Sequence, residues 1–200
     1  PALRRDDGAE EGAEGSPAPR PVKRLGVLGA GLMGEGIAAV SLPRAPVVLK
    51  DVSEEGLTRA ARSLRKGLDR RLRSAALTRL ERDRRWLALK PTTRLEELAG
   101  CDLVIEAVFE DLALKRKVLA EAEAVLAPDA VFASNTSALP IGEIARGARR
   151  PERVVGMHYF SPVPKMPLLE VVVPKGAAPW AVATARAFGV AQGKTVIVVK

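Results

Sequence analysis

The chain has 200 residues, 47% of them apolar, enough to bury a core of ordinary size, and its one cysteine, Cys101, excludes an internal disulfide framework. No apolar run approaches the ~18 residues that a membrane span requires. The net charge of +8 comes from one segment, since residues 59–90 hold twelve Lys/Arg against three Asp/Glu and the remainder twenty against twenty-one; with only 4% aromatics to stack on bases, this composition speaks against nucleic acid as a partner.

Residues 1–21, acidic and then rich in Pro, Gly and Ser, have almost nothing to bury and are predicted to be a disordered tail or linker, with one domain over 22–200. The chain opens on Pro1 without a charged-then-apolar leader, so it reads as a processed protein or a fragment. "KRLGVLGAG" predicts a short strand running into glycines, then a helix from about Met33 to Val40 that Pro43 stops. "PVVLKD" is the second strand. From Glu54, Leu57, Ala60, Ala61, Leu64, Leu68 and Leu72 recur at helical spacing, which leaves the arginines on the solvated faces of a long helix or helical hairpin. "CDLVIEAVF" is read as the third strand, followed by a helix over about 112–126. "AVFASN" and "RVVGMHYF" are the fourth and fifth strands, "LLEVVVP" and "TVIVVK" two more, with a helix near 179–191 between these last two. The terminal strand stops abruptly at Lys200, from which the natural polypeptide is expected to continue.

Short apolar strands alternating with helices predict an α/β fold: a doubly wound, mostly parallel sheet with helices on both faces. "GVLGAGLMGEG" places Gly29, Gly31 and Gly34 in G-x-G-x-x-G spacing between a strand and a helix, with Asp51 twenty residues beyond Gly31. That context is of the Rossmann type. Gly29 would permit the tight turn, Gly31 the approach of a pyrophosphate, and Gly34 close packing of the helix, whose amino terminus faces the phosphates. Leu32 and Met33, between the last two glycines, join the cofactor-binding candidates. Asp51 would accept both adenosine ribose hydroxyls and repel a 2′-phosphate, favouring NAD over NADP; Lys50 and Arg44 pull slightly the other way.

His158 is the only histidine, and Glu170 follows it by half a strand and a short loop. Histidine titrates near neutrality and can take a proton reversibly, while a carboxylate on its second nitrogen would fix the tautomer. A hydrogen-bonded core histidine is the plainer alternative.

"LGVLGAGLMGEGIA", "CDLVIEAVFEDLALKRKVLAE", "FASNTSALPI" and "RPERVVGMHYFSPVPKMPLLEVV" together resemble the NAD-binding domain of L-3-hydroxyacyl-CoA dehydrogenases, above all those of multifunctional fatty-acid β-oxidation enzymes. The resemblance implies NAD-dependent oxidation of (S)-3-hydroxyacyl-CoA to 3-ketoacyl-CoA, with His158 and Glu170 as the catalytic pair and Ser137 bonding the region of the reacting oxygen. It places Asn135 beside the nicotinamide ribose and implies cofactor contacts for Glu110 and Lys115; "ASNTS" as a polar turn and Glu110 as a helix start are the structural alternatives. It further implies that the basic stretch attracts the phosphates of an acyl-CoA substrate and that the chain serves in a β-oxidation complex. The compartment would be the mitochondrial matrix in a eukaryote or the cytoplasm in a bacterium. The family's helical C-terminal domain, with its catalytic asparagine, is absent, so this piece by itself is expected to turn over poorly. No metal site is assigned. A non-catalytic NAD-binding module from a truncated paralogue is the alternative function, and an interaction domain using residues 59–90 a further one.

Overall fold

The computed structural model describes residues 17–200. Eight strands form one sheet in the order β3-β2-β1-β4-β5-β6-β7-β8. The central strand β1 (Leu25–Leu28) is wholly buried and pairs in parallel with β2 (Val47–Lys50) and β4 (Leu103–Glu106). Beyond β4 lie β5 (Val131–Ser134) and β6 (Val154–Tyr159), both parallel, and then β7 (Leu168–Val172), which runs antiparallel to β6. β8 (Thr195–Val199) is parallel to β7 and closes that edge. The mostly parallel, doubly wound sheet is the architecture expected from the alternating pattern.

Helices cover both faces. α1 (Leu32–Ser41), α2 (Glu54–Arg73) and α6 (Pro179–Ala191) bury Ile37, Leu57, Ala60, Leu64, Ala185 and Phe188 in one apolar layer. On the other face α4 (Leu112–Val125) and α5 (Ile141–Ala145) bury Leu119, Ala122, Ile141 and Ile144. Strands with both faces covered are largely apolar, and those of the sheet centre are so up to their carboxyl ends, where β4 finishes on Glu106 and β5 on Ser134.

Of the two forms expected for the basic stretch, a long helix or a helical hairpin, it takes the second: the chain turns at Ala75, with φ of 56°, and restarts at α3 (Arg79–Leu87). Thr78 and Glu81 cap each other reciprocally there, a capping box that "TRLE" spells in the sequence. Arg82 then ties α3 to α2 through Asp69 at 2.7 Å. One strand is an addition to the expected elements, β3 (Leu89–Thr92), which contains Pro91. Proline has no N–H for the ladder, so it is tolerated only because β3 is the outer edge beside β2.

Of the expected tail, residues 1–16 lie outside the described residues. Arg20 is tied down: its N–H donates to Thr184 Oγ1 at 2.9 Å and its guanidinium lies 3.7 Å from the centre of the Trp180 ring.

Candidate functional site

The chain winds from β1 outward to β3 and then crosses to β4, so the strand order reverses between β1 and β4. Ligands of open α/β sheets bind at the carboxyl ends of the strands at such a switch point. A crevice of about 350 Å³ lies there, lined by Met33, Val108, Glu110, Asn135, Ser137 and His158, among others.

The glycine turn leads into α1, whose Met33 lines the crevice. Gly29 has φ of +98°, and a Cβ on it would lie 2.6 Å from the Ala107 carbonyl oxygen. On Gly34 a Cβ would lie 1.8 Å from the Gly29 carbonyl oxygen, so α1 can close against the turn only with glycine at this position. Gly31 differs from both, since a Cβ there would meet no protein atom within 4 Å. Its open side is the room that a pyrophosphate needs. No side chain caps α1, whose N-cap is Gly31, so the N–H groups of its first turn are left for an anionic ligand. Leu32, at that first turn, is 73% exposed.

Asp51 follows β2. Its Oδ2 accepts the Ala30 N–H at 2.6 Å and its Oδ1 the Ser53 N–H at 2.9 Å, which hold the carboxylate beside the glycine turn with lone pairs to spare for ribose hydroxyls. Val52 and Phe109, each 86% exposed, follow the carboxyl ends of β2 and β4 and leave apolar surface for a flat ring; neither was singled out from the sequence. Arg44 precedes β2, at the opposite end of a strand roughly 13 Å long. It lines a separate hollow with Glu81, Arg84 and Arg85, so it does not meet a 2′-phosphate beside Asp51. Lys50, the last residue of β2, is half-buried. These observations fit a dinucleotide.

Glu110 and Lys115 occupy different places. The Glu110 carboxylate accepts Thr136 Oγ1 at 2.5 Å and the N–H groups of Ser137 and Ala138 at 3.1 and 3.2 Å, so it shapes the "SNTSA" turn after β5. Burial pushes its carboxyl upward, but the Thr136 hydrogen bond and the Lys115 ammonium outweigh that and hold it below the ordinary carboxylate value. Lys115, expected to touch the cofactor, is 1% exposed and stands behind the crevice. Its Nζ donates to Glu106 Oε1 at 2.8 Å and lies 3.3 Å from Glu110. Glu106 escaped the sequence reading. It is fully buried, and it also accepts the Val108 N–H and the Ser134 hydroxyl, both at 2.7 Å. A carboxylate inside "LVIEAV" is itself a signal, because such a group is not buried without a partner.

Asn135 Oδ1 accepts the Tyr159 N–H at 2.9 Å, tying the end of β5 to β6 and leaving its amide NH₂ for the crevice. The Ser137 side chain is exposed at the rim.

His158 and Glu170 are register partners across the antiparallel pair β6–β7. Nδ1 lies 2.8 Å from Glu170 Oε2. A carboxylate only accepts, so the geometry suits an Nδ1–H that donates to Glu170, and in the neutral imidazole this tautomer leaves the lone pair on Nε2. Met157 and Tyr159, the neighbours of His158 on β6, are buried, whereas the imidazole is 19% exposed at the crevice. The Phe160 ring lies 4.5 Å away, tilted by 46°.

Residues 24–200 match the family described as "3-hydroxyacyl-CoA dehydrogenase, NAD binding domain". A fatty acid oxidation complex subunit alpha from Shewanella frigidimarina is 49% identical over 193 residues, which are 96% of this chain and 27% of that protein. Among solved structures, 3-hydroxybutyryl-CoA dehydrogenase of Escherichia coli K12 superposes with a TM-score of 0.87 at 36% identity, covering 90% of this chain and 38% of that one. The (S)-3-hydroxybutyryl-CoA dehydrogenase of Ralstonia eutropha gives 0.86 at 31% identity, covering 90% and 64%.

Proposed function

Since the chain belongs to the 3-hydroxyacyl-CoA dehydrogenase family through its NAD-binding domain, we propose that it supplies the cofactor and proton-transfer half of an enzyme that oxidises (S)-3-hydroxyacyl-CoA to 3-ketoacyl-CoA. The observation that carries this reading is the His158–Glu170 pair, held across two strands and opening onto the crevice that Met33, in the first turn of α1, also lines. NAD, when bound, supplies the ring that accepts the substrate's hydride. The first turn of α1 binds the phosphates and Asp51 the adenosine ribose.

His158 Nε2 takes the proton of the 3-hydroxyl as the carbon–oxygen double bond forms. Glu170 keeps Nδ1 protonated and stabilises the imidazolium that results, which confines basicity to the nitrogen facing the substrate. Ser137 donates to the reacting oxygen from the rim, and the Asn135 amide orients the nicotinamide ribose. Glu110, backed by Lys115 and Glu106, fixes the turn that carries both. Exposed arginines of α2 provide a positive field for the phosphates of coenzyme A.

The chain spans 27% of the length of the fatty acid oxidation subunit it matches, so activity and assembly concern a longer polypeptide. We infer a place in a fatty acid oxidation complex, and the Shewanella relatives support the bacterial cytoplasm of the two compartments left open by the sequence; nothing supports the mitochondrion. Two measurements test the reading. Titrated into the chain, NADH and acetoacetyl-CoA should both bind; dinucleotide binding alone would indicate a non-catalytic module. In a polypeptide of the relatives' length, His158→Gln should leave NADH affinity unchanged and lower kcat by about 10²–10⁴-fold. Survival of turnover in that variant would overturn the assignment.

A further inference from the structure

The turn between α6 and β8 consists of Gln192, Gly193 and Lys194, none of which lines the crevice. Two of the three nevertheless reach the surroundings of His158. Tyr159 Oη donates to Gln192 Oε1 at 2.7 Å, Gln192 Nε2 donates to Ser41 Oγ at 2.7 Å, and Ser41 Oγ donates to the Ile37 carbonyl at 2.7 Å. One continuous chain of hydrogen bonds therefore runs from the residue after His158 to the last turn of α1. The first turn of that same helix faces the pyrophosphate site.

Lys194 acts on the other side. It is 9% exposed, and its Nζ donates to the carbonyl oxygens of Val163 and Met166 at 2.5 and 2.6 Å. Both carbonyls belong to the loop joining β6 to β7, the loop between His158 and Glu170. Val163 in turn packs on α1, where a Cβ on Gly36 would lie 2.8 Å from Val163 Cβ. The Thr195 N–H adds a bond to the Pro167 carbonyl at 2.8 Å.

Lys194 has no carboxylate partner among the described residues. Burying an ammonium on carbonyls alone is a poor way to stabilise a fold, because an apolar side chain of similar volume avoids the desolvation. The ammonium does offer several donors on one atom, which can hold two points of a loop at once. Without it, and without the Gln192 bridge, the β6–β7 loop and the end of β6 lose their polar ties to the α6–β8 turn and to α1, while β6 stays paired with β5 and β7 with β8, and the distance between the imidazole and the hydride acceptor's position spreads.

We propose that Lys194 and Gln192 are positioning residues for His158, locking the catalytic hairpin to the helix that holds the cofactor. The proposal rests on the reading of His158 as the base. It predicts an effect on the chemical step rather than on cofactor binding, since misplacement of reacting groups by about 1 Å can cost as much as 10²-fold.

The test uses Lys194→Met, Lys194→Arg and Gln192→Met in a polypeptide of the relatives' length, assayed well below each variant's Tm, with proton spectra of His158, the one histidine of the 200-residue chain, recorded on that chain carrying the same substitutions. Lys194→Met and Gln192→Met should lower kcat by about 10- to 100-fold and leave KM for NAD unchanged. The Cε1–H resonance of His158, which lies beside the Phe160 ring, should shift in both, and Lys194→Arg should recover part of each effect. Should Lys194→Met fail to fold, Gln192→Met decides. A wild-type kcat, or a loss that follows only the folded fraction while the imidazole resonance stays put, overturns the proposal. If the wild-type protein oxidises no hydroxyacyl thioester, the functional reading falls, and an unmoved resonance in the variants then overturns the positioning inference separately.

Discussion

Replacing Lys115 by methionine separates a buried strut from a cofactor contact. The Nζ–Oε1 distance to Glu106 is 2.8 Å, and the two side chains are 1% and 0% exposed. Methionine fills most of the lysine volume, so the change removes the charge without opening a large cavity. Glu106 then stays buried with only the Val108 N–H and the Ser134 hydroxyl. Breaking one side of a buried pair costs about 3–5 kcal/mol, a large fraction of the ~5–15 kcal/mol that holds a domain together. For a chain of this size each kcal/mol lowers Tm by roughly 2–4 °C, so Lys115→Met should melt about 6–20 °C below wild type by circular dichroism. Adding Glu106→Gln removes the orphaned charge, keeps an acceptor for the Val108 N–H and reverses the bond to Ser134, whose hydroxyl oxygen accepts from the amide instead of donating to the carboxylate. The double variant should recover most of the loss. A drop in Tm below about 2 °C, with no recovery in the double variant and a large loss of NADH affinity, would refute the reasoning and return Lys115 to the crevice.

Gly34→Ala would place a methyl 1.8 Å from the Gly29 carbonyl oxygen, so α1 must withdraw from the glycine turn; isothermal titration should show NADH binding lost, whereas Gly31→Ala, which meets no protein atom, should fold normally and bind less tightly. Glu170→Gln should lower kcat about 100-fold or more with little change in KM for NAD, because a neutral partner no longer dictates which imidazole nitrogen carries the proton. Glu110 titrates below its ordinary value in the fold, so between that value and its unfolded one the unfolded chain binds more protons and stability falls as pH falls. Glu110→Gln should therefore flatten the acid side of the Tm profile below about pH 5; the same slope in both proteins would count against this, and the effect should be small because the side chain is 41% exposed.

Much of the architecture is local and was readable for that reason. The apolar strand runs, the glycine spacing, Asp51 at the end of β2 and the helical period of Leu57, Ala60, Leu64 and Leu68 are short-range patterns that backbone geometry imposes on any sequence. β3 was not readable, because "LKPT" is a strand only by virtue of β2 beside it. The place of Arg44 was in fact legible, since it precedes the strand that Asp51 follows and so stands at the opposite end. Residue types likewise announced the chemistry, with a lone histidine and a later glutamate in one apolar stretch. Their pairing was a tertiary decision. His158 faces Glu170 only because β6 and β7 run antiparallel in one register, and a slip of one residue would turn Glu170 to the other face of the sheet. The supports of the site were still less visible: Lys115 beneath Glu106, and Gln192 and Lys194 beneath the hairpin, meet their partners across loops and helices whose lengths carry no code for contact. Periodicity resides in neighbouring residues and survives in the bare sequence, whereas a hydrogen bond between distant segments exists only once packing has chosen the register and the face.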